Sequence, residues 1–461
     1  MNFHTAYSAI GTPIETCVVG SGGFGQSFIA QAQHVRLMGA RIAVDRDAET
    51  AAHALRLSGI AAERIRICAD ARAAAAAWKD GLFVAAGSLE TVIDLPFQVL
   101  VEATGHPEAA ARHALLAIEA GRHVALVSKE TDSVCGPGLA RLARERGVVV
   151  TPVDGDQPSL LIGLITWGQV LGLEIVAAGK SSEYDFVLDR AAGTVTSNEV
   201  SRPLPALAEV WDIGQRDLKA VSAARERLIG GQFPLRAVPD LCELTLVANA
   251  TGFIPDRVDF HAPVARIPEV AALFAERADG GMMGGTGRLD VFHHLRAPDE
   301  ASFAGGVFIV VKCRDKTSWD MLAKKGHAVS PSGETAMLYL PRHILGLEAA
   351  TSILDAAGLG RSGYGDDYRP RIDLVAVAER DLAAGTVLTA SGHHHTIDGV
   401  RAEMRPAAAL ASDQPAPFYL VADRPLARAV KAGEPIRLGD VAMDEKSRLF
   451  GLRLRQDELF A

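Results

Sequence analysis

The run C-V-V-G-S-G-G-F-G-Q-S-F, from Cys17 to Phe28, constrains the fold more than any other stretch of this chain. An apolar segment of strand character leads into Gly20, Gly22 and Gly25, spaced G-x-G-x-x-G, and a helical segment follows. In that context Gly20 permits a tight turn, Gly22 and Gly23 let backbone approach a pyrophosphate, and Gly25 lets helix pack closely on strand. The helix opening at Phe24 presents free N–H groups and a partial positive charge to phosphates. The next apolar run, ARIAVD, ends at Asp45. This is about 20 residues beyond the glycines, where a carboxylate binds the adenosine ribose hydroxyls of a dinucleotide. A carboxylate there repels a 2′-phosphate and points to NAD(H), while the adjacent Arg46 would accommodate NADP(H).

Four further apolar runs complete a pattern: RIRICA, FQVLVEAT, HVALVSKE and VVVTPVD join ETCVVG and ARIAVD, separated by Ala-rich helical stretches such as HPEAAARHALLAIEAG. Runs rich in Val, Ile and Leu without polar alternation suit strands buried on both faces of a parallel sheet. Alternation with helices predicts an α/β, doubly wound Rossmann domain over residues 1–150. Ligands bind such sheets at the carboxyl ends of the strands. Thr104, Gly105 and Ser128 are therefore placed beside the cofactor, and Lys129 is placed to polarise a carbonyl as hydride arrives. His106 reads as a loop residue and Glu130 as a capping residue.

The last of these runs enters Asp154-Gly155-Asp156-Gln157-Pro158. Two carboxylates and an amide on a tight loop suit substrate hydroxyls (Asp154, Gln157) or a proton relay (Asp156), and also a divalent cation such as Mg²⁺ or Mn²⁺. Residues 160–179 are apolar enough to consider as a membrane span, but Gln169, Glu174 and a break at Leu171-Gly172 favour a buried helix followed by a buried strand. That strand ends in Gly179-Lys180-Ser181-Ser182-Glu183. Lys180 is read as a substrate-phosphate ligand and Glu183 as a general base. If CELTLVANATGFIPD is a strand, Glu243 and Asn249 share a face, with Asn249 the preferred substrate contact. The segment DGGMMGGTGR, residues 279–288, reads as a flexible segment or lid. His393-His394-His395 cannot all converge on one metal ion and reads as a loop.

Residues 151–370 mix helical and strand patterns and predict an α+β substrate and dimerisation domain, with 340–360 packing back on the first domain. From residue 371 to 461, short strands punctuated by Gly and Pro predict a small β domain. The net charge of −9, without a basic patch, argues against nucleic acid. Five scattered cysteines without a C-x-x-C pair fit a reducing compartment, and no basic-then-apolar leader is visible, so a soluble cytoplasmic protein is expected.

The glycine motif, Ser128-Lys129-Glu130, the Asp-Gly-Asp-Gln-Pro loop, Gly179-Lys180-Ser-Ser-Glu-Tyr-Asp and Arg342-His343-Ile-Leu-Gly-Leu-Glu348 together resemble homoserine-dehydrogenase-like proteins with a C-terminal SAF domain. Within that group the resemblance is to the deoxyxylulose-phosphate-reductoisomerase-like enzymes, and it covers nearly the whole chain. It implies a β-clip domain marked by A-E-R-D-L-A-A-G-T-V-L and A-V-K-A-G-E-P-I, a homodimer, and NADPH-dependent reduction of a phosphorylated ketose after rearrangement to a branched polyol phosphate. It also implies that Lys129 is the catalytic lysine after the fifth strand, here preceded by Ser128 where homoserine dehydrogenases usually carry Asn. Alternatives are homoserine dehydrogenase itself, whose amino-acid-binding Asp and Lys are not recognisable here, and a non-catalytic dinucleotide-binding sensor or scaffold.

Overall fold

A computed structural model describes residues 2–392 and 395–461, so His393 and His394 lie outside the described residues. The chain builds three sheets. The first is parallel throughout, with strands β1 (Ile14–Val19), β2 (Met38–Val44), β3 (Ile65–Cys68), β4 (Phe83–Ala86), β5 (Val99–Glu102), β6 (His123–Leu126) and β7 (Val150–Thr151). Their spatial order is β3-β4-β2-β1-β5-β6-β7. The order reverses between β1 and β5, the switch point where a doubly wound sheet opens a cleft for ligands. The sequence reading gave six strands and missed β4. Its four residues, Phe-Val-Ala-Ala, follow the alanine-rich helix Ala71–Lys79 after a short turn, too few to break that helical texture.

The second sheet contains β8 (Ile175–Ser181), β9 (Phe186–Asp189), β10 (Thr194–Ser197), β11 (Val200–Pro203), β12 (Ile254–Pro255), β13 (Val264–Ala265), β14 (Arg288–Arg296), β15 (Val307–Lys312) and β16 (Thr335–Leu340). Its main path runs β11-β10-β9-β14-β8-β15-β16, with β12 and β13 pairing to β14. The long apolar stretch at 160–179 resolves into helix Gln157–Val170 and β8, as its central break implied. Among the described residues no helix is long and apolar enough to cross a membrane. The third sheet is antiparallel and small: β17 (Ile372–Ala378), β18 (Ala390–Ser391), β19 (Thr396–Ile397) and β20 (Val400–Pro406), in the order β17-β20-β19-β18.

Two readings of the central region are corrected. Residues 238–251 form a helix, Val238–Thr251, rather than a strand. Pro239 in its first turn and Gly252 in the left-handed conformation at φ 77° are its start and stop signals. Every residue from Pro239 to Asn249 is buried, so the helix lacks the polar face that would have betrayed its period. The glycine-rich 279–288 segment is a packed turn instead of a lid. Met283 is buried in the core, Gly284 N–H donates to Asp256 at 3.0 Å, and a Cβ on Gly281 would stand 2.0 Å from the Ala275 carbonyl oxygen. The segment ETAMLYLPRHILGLEAATSILDAAG, residues 334–358, begins as the strand β16. Its later residues Ala349, Ile353 and Leu354 join Phe28 and Val101 in the core on one face of the first sheet.

On the other face one core runs continuously from the first sheet through helices Gln157–Val170 and Val238–Thr251 to the third sheet. Within it helix Lys129–Glu145, which follows β6, buries Asp132 against Tyr364 and Tyr368. Both phenols donate to the Asp132 carboxyl, Tyr368 at 2.6 Å, and their rings stack at 4.0 Å. Burial pushes this carboxyl up to about 7 against the pull of the two phenols. A carboxyl raised in the folded state retains its proton where the unfolded chain, near its usual value of about 4, has lost it. Its contribution to stability is therefore full at low pH and declines as pH rises from about 4 to 7, by a few kcal/mol in order of magnitude. Asp132→Asn keeps an oxygen that accepts from the tyrosines but removes the titration. Urea unfolding from pH 4 to 8 should show a flatter pH dependence in this variant; an unchanged slope contradicts the assignment.

Candidate active site

The glycine loop runs from β1 into helix Gly23–Ala32. Two of its glycines are demanded by the protein itself. Gly20 sits at φ 91°, where a Cβ would stand 2.5 Å from the Ala103 backbone, and a Cβ on Gly25 would lie 2.1 Å from the Gly20 carbonyl oxygen. Gly22 and Gly23 differ: a Cβ on either meets nothing within 4 Å. Nothing in the fold requires those two to be glycine, and the space above them is what a pyrophosphate needs. Phe24 opens the helix, and its carbonyl accepts from Ser27 at 2.9 Å. Asp45, just past β2, accepts from Ser21 N–H at 2.8 Å and Arg46 N–H at 2.7 Å, so its carboxylate lies against the loop. Arg46 is exposed.

At the ends of β5 and β6 a buried carboxylate missed in the sequence, Glu102, organises the residues placed there. Thr104 Oγ1 donates to it at 2.7 Å, Ser128 Oγ donates to its other oxygen, and Gly105 N–H donates to Ser128 Oγ at 2.8 Å. His106 caps helix Pro107–Glu119 through an acceptor contact of 3.3 Å with Ala109 N–H. Glu130 is buried, and that burial pushes its carboxyl up to about 7.

Lys129 projects from this edge into a charged cluster to which four elements contribute. Its ammonium donates to Glu243 and lies 3.7 Å from Asp156. The other Glu243 oxygen accepts from Lys180, whose ammonium also lies 3.0 Å from Asp240 and 3.1 Å from Glu183. Ser182 Oγ donates to Asp240 at 2.5 Å. Two ammoniums thus face four carboxylates. Burial opposes the charge on both lysines, yet Asp156 and Glu243 hold Lys129 well above the usual lysine range, and Glu243 and Asp240 do the same for Lys180. Burial raises the Asp240 carboxyl, with Lys180 pulling the other way.

Exposure separates the two lysines. The Lys129 side chain is 24% exposed and can reach a ligand, whereas Lys180 is 0% exposed. Lys180 is therefore not a phosphate ligand, because three carboxylates already enclose its ammonium. Asn249 is likewise no substrate contact. On a helix it faces away from Glu243, and its amide is spent on the entry to β17, accepting from Arg371 N–H at 2.8 Å and Ile372 N–H at 2.9 Å. Asp154 accepts from Ser159 at 2.7 Å and Thr351 at 2.6 Å, which makes it a structural tie in this state. Asp156 caps helix Gln157–Val170, accepting from Gln157 N–H at 2.9 Å, while still facing Lys129; Gln157 itself is buried.

Asp240 and Glu243 carry the cluster, yet Asp240 went unnamed in the sequence and Glu243 was ranked below Asn249. A helical reading of V-P-D-L-C-E would have put the two carboxylates on one face at i and i+3. These residues do not fit a divalent cation, since the point that Glu183, Asp240 and Glu243 share is filled by the Lys180 ammonium. Among the described residues no group of three His, Cys, Asp or Glu side chains is disposed to hold a metal ion. A cavity of about 480 Å³ adjoins the cluster, lined by Tyr184, Pro239 and Leu241 together with Arg236 and Arg401.

Residues 239–349 match the family described as oxidoreductase DRL, catalytic domain. The 1-deoxy-D-xylulose 5-phosphate reductoisomerase of Cereibacter sphaeroides is 24% identical over 181 residues, 39% of this chain and 40% of that protein. The chain thus spans about two fifths of the length of this curated relative. Solved structures with some likeness include GenD2 from gentamicin A biosynthesis in complex with NAD, at 15% identity and TM-score 0.33, covering 76% of this chain and 88% of that one. Another is levoglucosan dehydrogenase in complex with NADH and L-sorbose, at 17% identity and TM-score 0.25, covering 39% and 44%.

The bare space over Gly22 yields a direct test. Gly22→Val should leave the thermal unfolding of the protein unchanged and weaken NADH or NADPH binding at least tenfold, read by cofactor fluorescence. Unchanged affinity in a folded variant would exclude this loop as the pyrophosphate site. Over residues 239–349, the stretch that supplies Asp240 and Glu243, the chain is similar to the catalytic domain of an oxidoreductase family.

Proposed function

We propose that the protein is an NAD(P)-dependent oxidoreductase acting on a CH–OH/C=O group, with a polyhydroxylated substrate of the phosphorylated-ketose class. The observation that carries this reading is the placement of Lys129: a partly exposed lysine side chain at the carboxyl end of β6, next to Ser128, with its ammonium backed by Asp156 and Glu243. A bound nicotinamide supplies the hydride. Lys129 donates a hydrogen bond to the carbonyl oxygen and meets the negative charge that grows on it, in a site where donors fixed in advance cost no reorganisation. Because neighbouring carboxylates hold its proton tightly, Lys129 acts first as a fixed cation. Asp156, 18% exposed, is the nearer group to bring in from solvent the proton that the oxygen takes up as C=O becomes CH–OH, and Glu183, at 26%, is the other partly open carboxylate.

The carboxylate of Asp45 supports NAD(H), while the resemblance to the reductoisomerase-like enzymes supports NADP(H) and the name of the relative a sugar phosphate. With Lys180 enclosed, the cations available to an anionic substrate group are Arg236 and Arg401 of the adjoining cavity. The isomerising step before reduction rests on the likeness to the reductoisomerase alone.

NADH and NADPH oxidation should be followed with deoxyxylulose 5-phosphate and related ketose phosphates, and NAD(P)⁺ reduction with homoserine. Lys129→Ala should lower kcat by about 10²- to 10³-fold, the range for removing one oxyanion donor, with the dinucleotide Kd unchanged. Turnover retained in that variant rejects the role given to Lys129, and turnover of homoserine alone rejects the substrate class.

A further inference from the structure

Lys180 is a fully buried charge that the reaction above leaves without a task. It sits on β8, an interior strand of the second sheet, flanked by β14 and β15. Close packing puts it there: a Cβ on the preceding Gly179 would stand 1.9 Å from the Asp290 carbonyl oxygen, so only glycine lets β8 lie this tightly on β14. The ammonium is completely buried and meets carboxylates from two elements, Glu183 at the end of its own strand and Asp240 and Glu243 from helix Val238–Thr251.

A buried ion pair needs one partner of each sign, and an extra buried carboxylate adds desolvation and repulsion. Three carboxylates converging on one ammonium exceed what a structural pair calls for. Oxygen donors gathered around a single buried point are also the arrangement that hard divalent cations take. Here the point is held by a covalently attached cation. Glu243 then passes its influence on: one oxygen binds Lys180 and the other binds Lys129, so the fixed ammonium sets the position of the carboxylate that holds the reacting one.

We propose that Lys180 is the resident cation of this site, occupying with its ammonium the place a divalent metal would take among Glu183, Asp240 and Glu243, so that the reaction runs without an added metal ion. Lys180 is on this account a positioning residue that acts on the substrate through Glu243 and Lys129. The inference rests on the site assignment of the proposed function, but its decisive readout is metal binding and requires no substrate.

The full-length protein, treated with EDTA, should be titrated with Mn²⁺ and the free ion followed by electron paramagnetic resonance. The wild type should take up no stoichiometric Mn²⁺, and its turnover should be unchanged by EDTA. Lys180→Ala, which uncovers the three carboxylates, should gain a stoichiometric Mn²⁺ site, and adding Glu243→Gln should abolish that gain, a result that a merely structural lysine would not produce. The proposal is overturned if the wild type binds stoichiometric Mn²⁺ and Glu243→Gln alone removes it, or if turnover needs the metal. Should Lys180→Ala fail to fold, the comparison of wild type with Glu243→Gln still decides. Protein that turns over none of the offered substrates fails the functional reading and leaves the metal titration intact.

Discussion

Glu243 is the residue on which the arrangement depends. Its two oxygens tie Lys129, at the edge of the parallel sheet, to Lys180, inside the second sheet, and so fix the distance between the two sheets at this point. Charges buried this deeply repay their desolvation only when the partners meet in good geometry, and removing one partner leaves an uncompensated charge. The cluster is therefore stable in one arrangement of four elements: the turn after β6, the turn that caps helix Gln157–Val170, the end of β8 and the first turns of helix Val238–Thr251. The apolar core that runs behind it, from the first sheet to the third, supplies the rigidity which that geometry requires.

The first sheet and its glycine loop were largely legible in the sequence, because each feature there has a local cause. A glycine at a tight turn, a glycine under a helix and a carboxylate at a strand end leave marks at fixed spacings. The missed strand β4 fell where alanine suits helix and buried strand alike. The α/β class and the small antiparallel sheet at the C-terminal end were equally readable, from buried parallel runs in one case and Gly- and Pro-punctuated short runs in the other.

The substrate half was less legible, for a physical reason. Helix Val238–Thr251 is buried on all sides, so its sequence has no amphipathic period, and its β-branched residues mimic a strand. That one misreading reversed the ranking of Glu243 and Asn249 and hid Asp240. Lys180 was misassigned for a related reason: a lysine after an apolar run usually reaches solvent, and sequence spacing gives no sign of three carboxylates arriving from elsewhere to enclose it. Lys129 and Asp156 stood out as candidates because both follow strand ends of the sheet whose topology was already legible.

The central claim is that the nicotinamide end of the cofactor lies at the Lys129 side of this cluster. A crystal structure of the protein with bound NADH tests it most directly. The account predicts the pyrophosphate over Gly22 and Gly23 and the nicotinamide ring beside Thr104, Gly105 and Ser128, with its reacting face open toward Lys129. A ring bound on another side of the sheet, with protein between it and Lys129, would contradict the account.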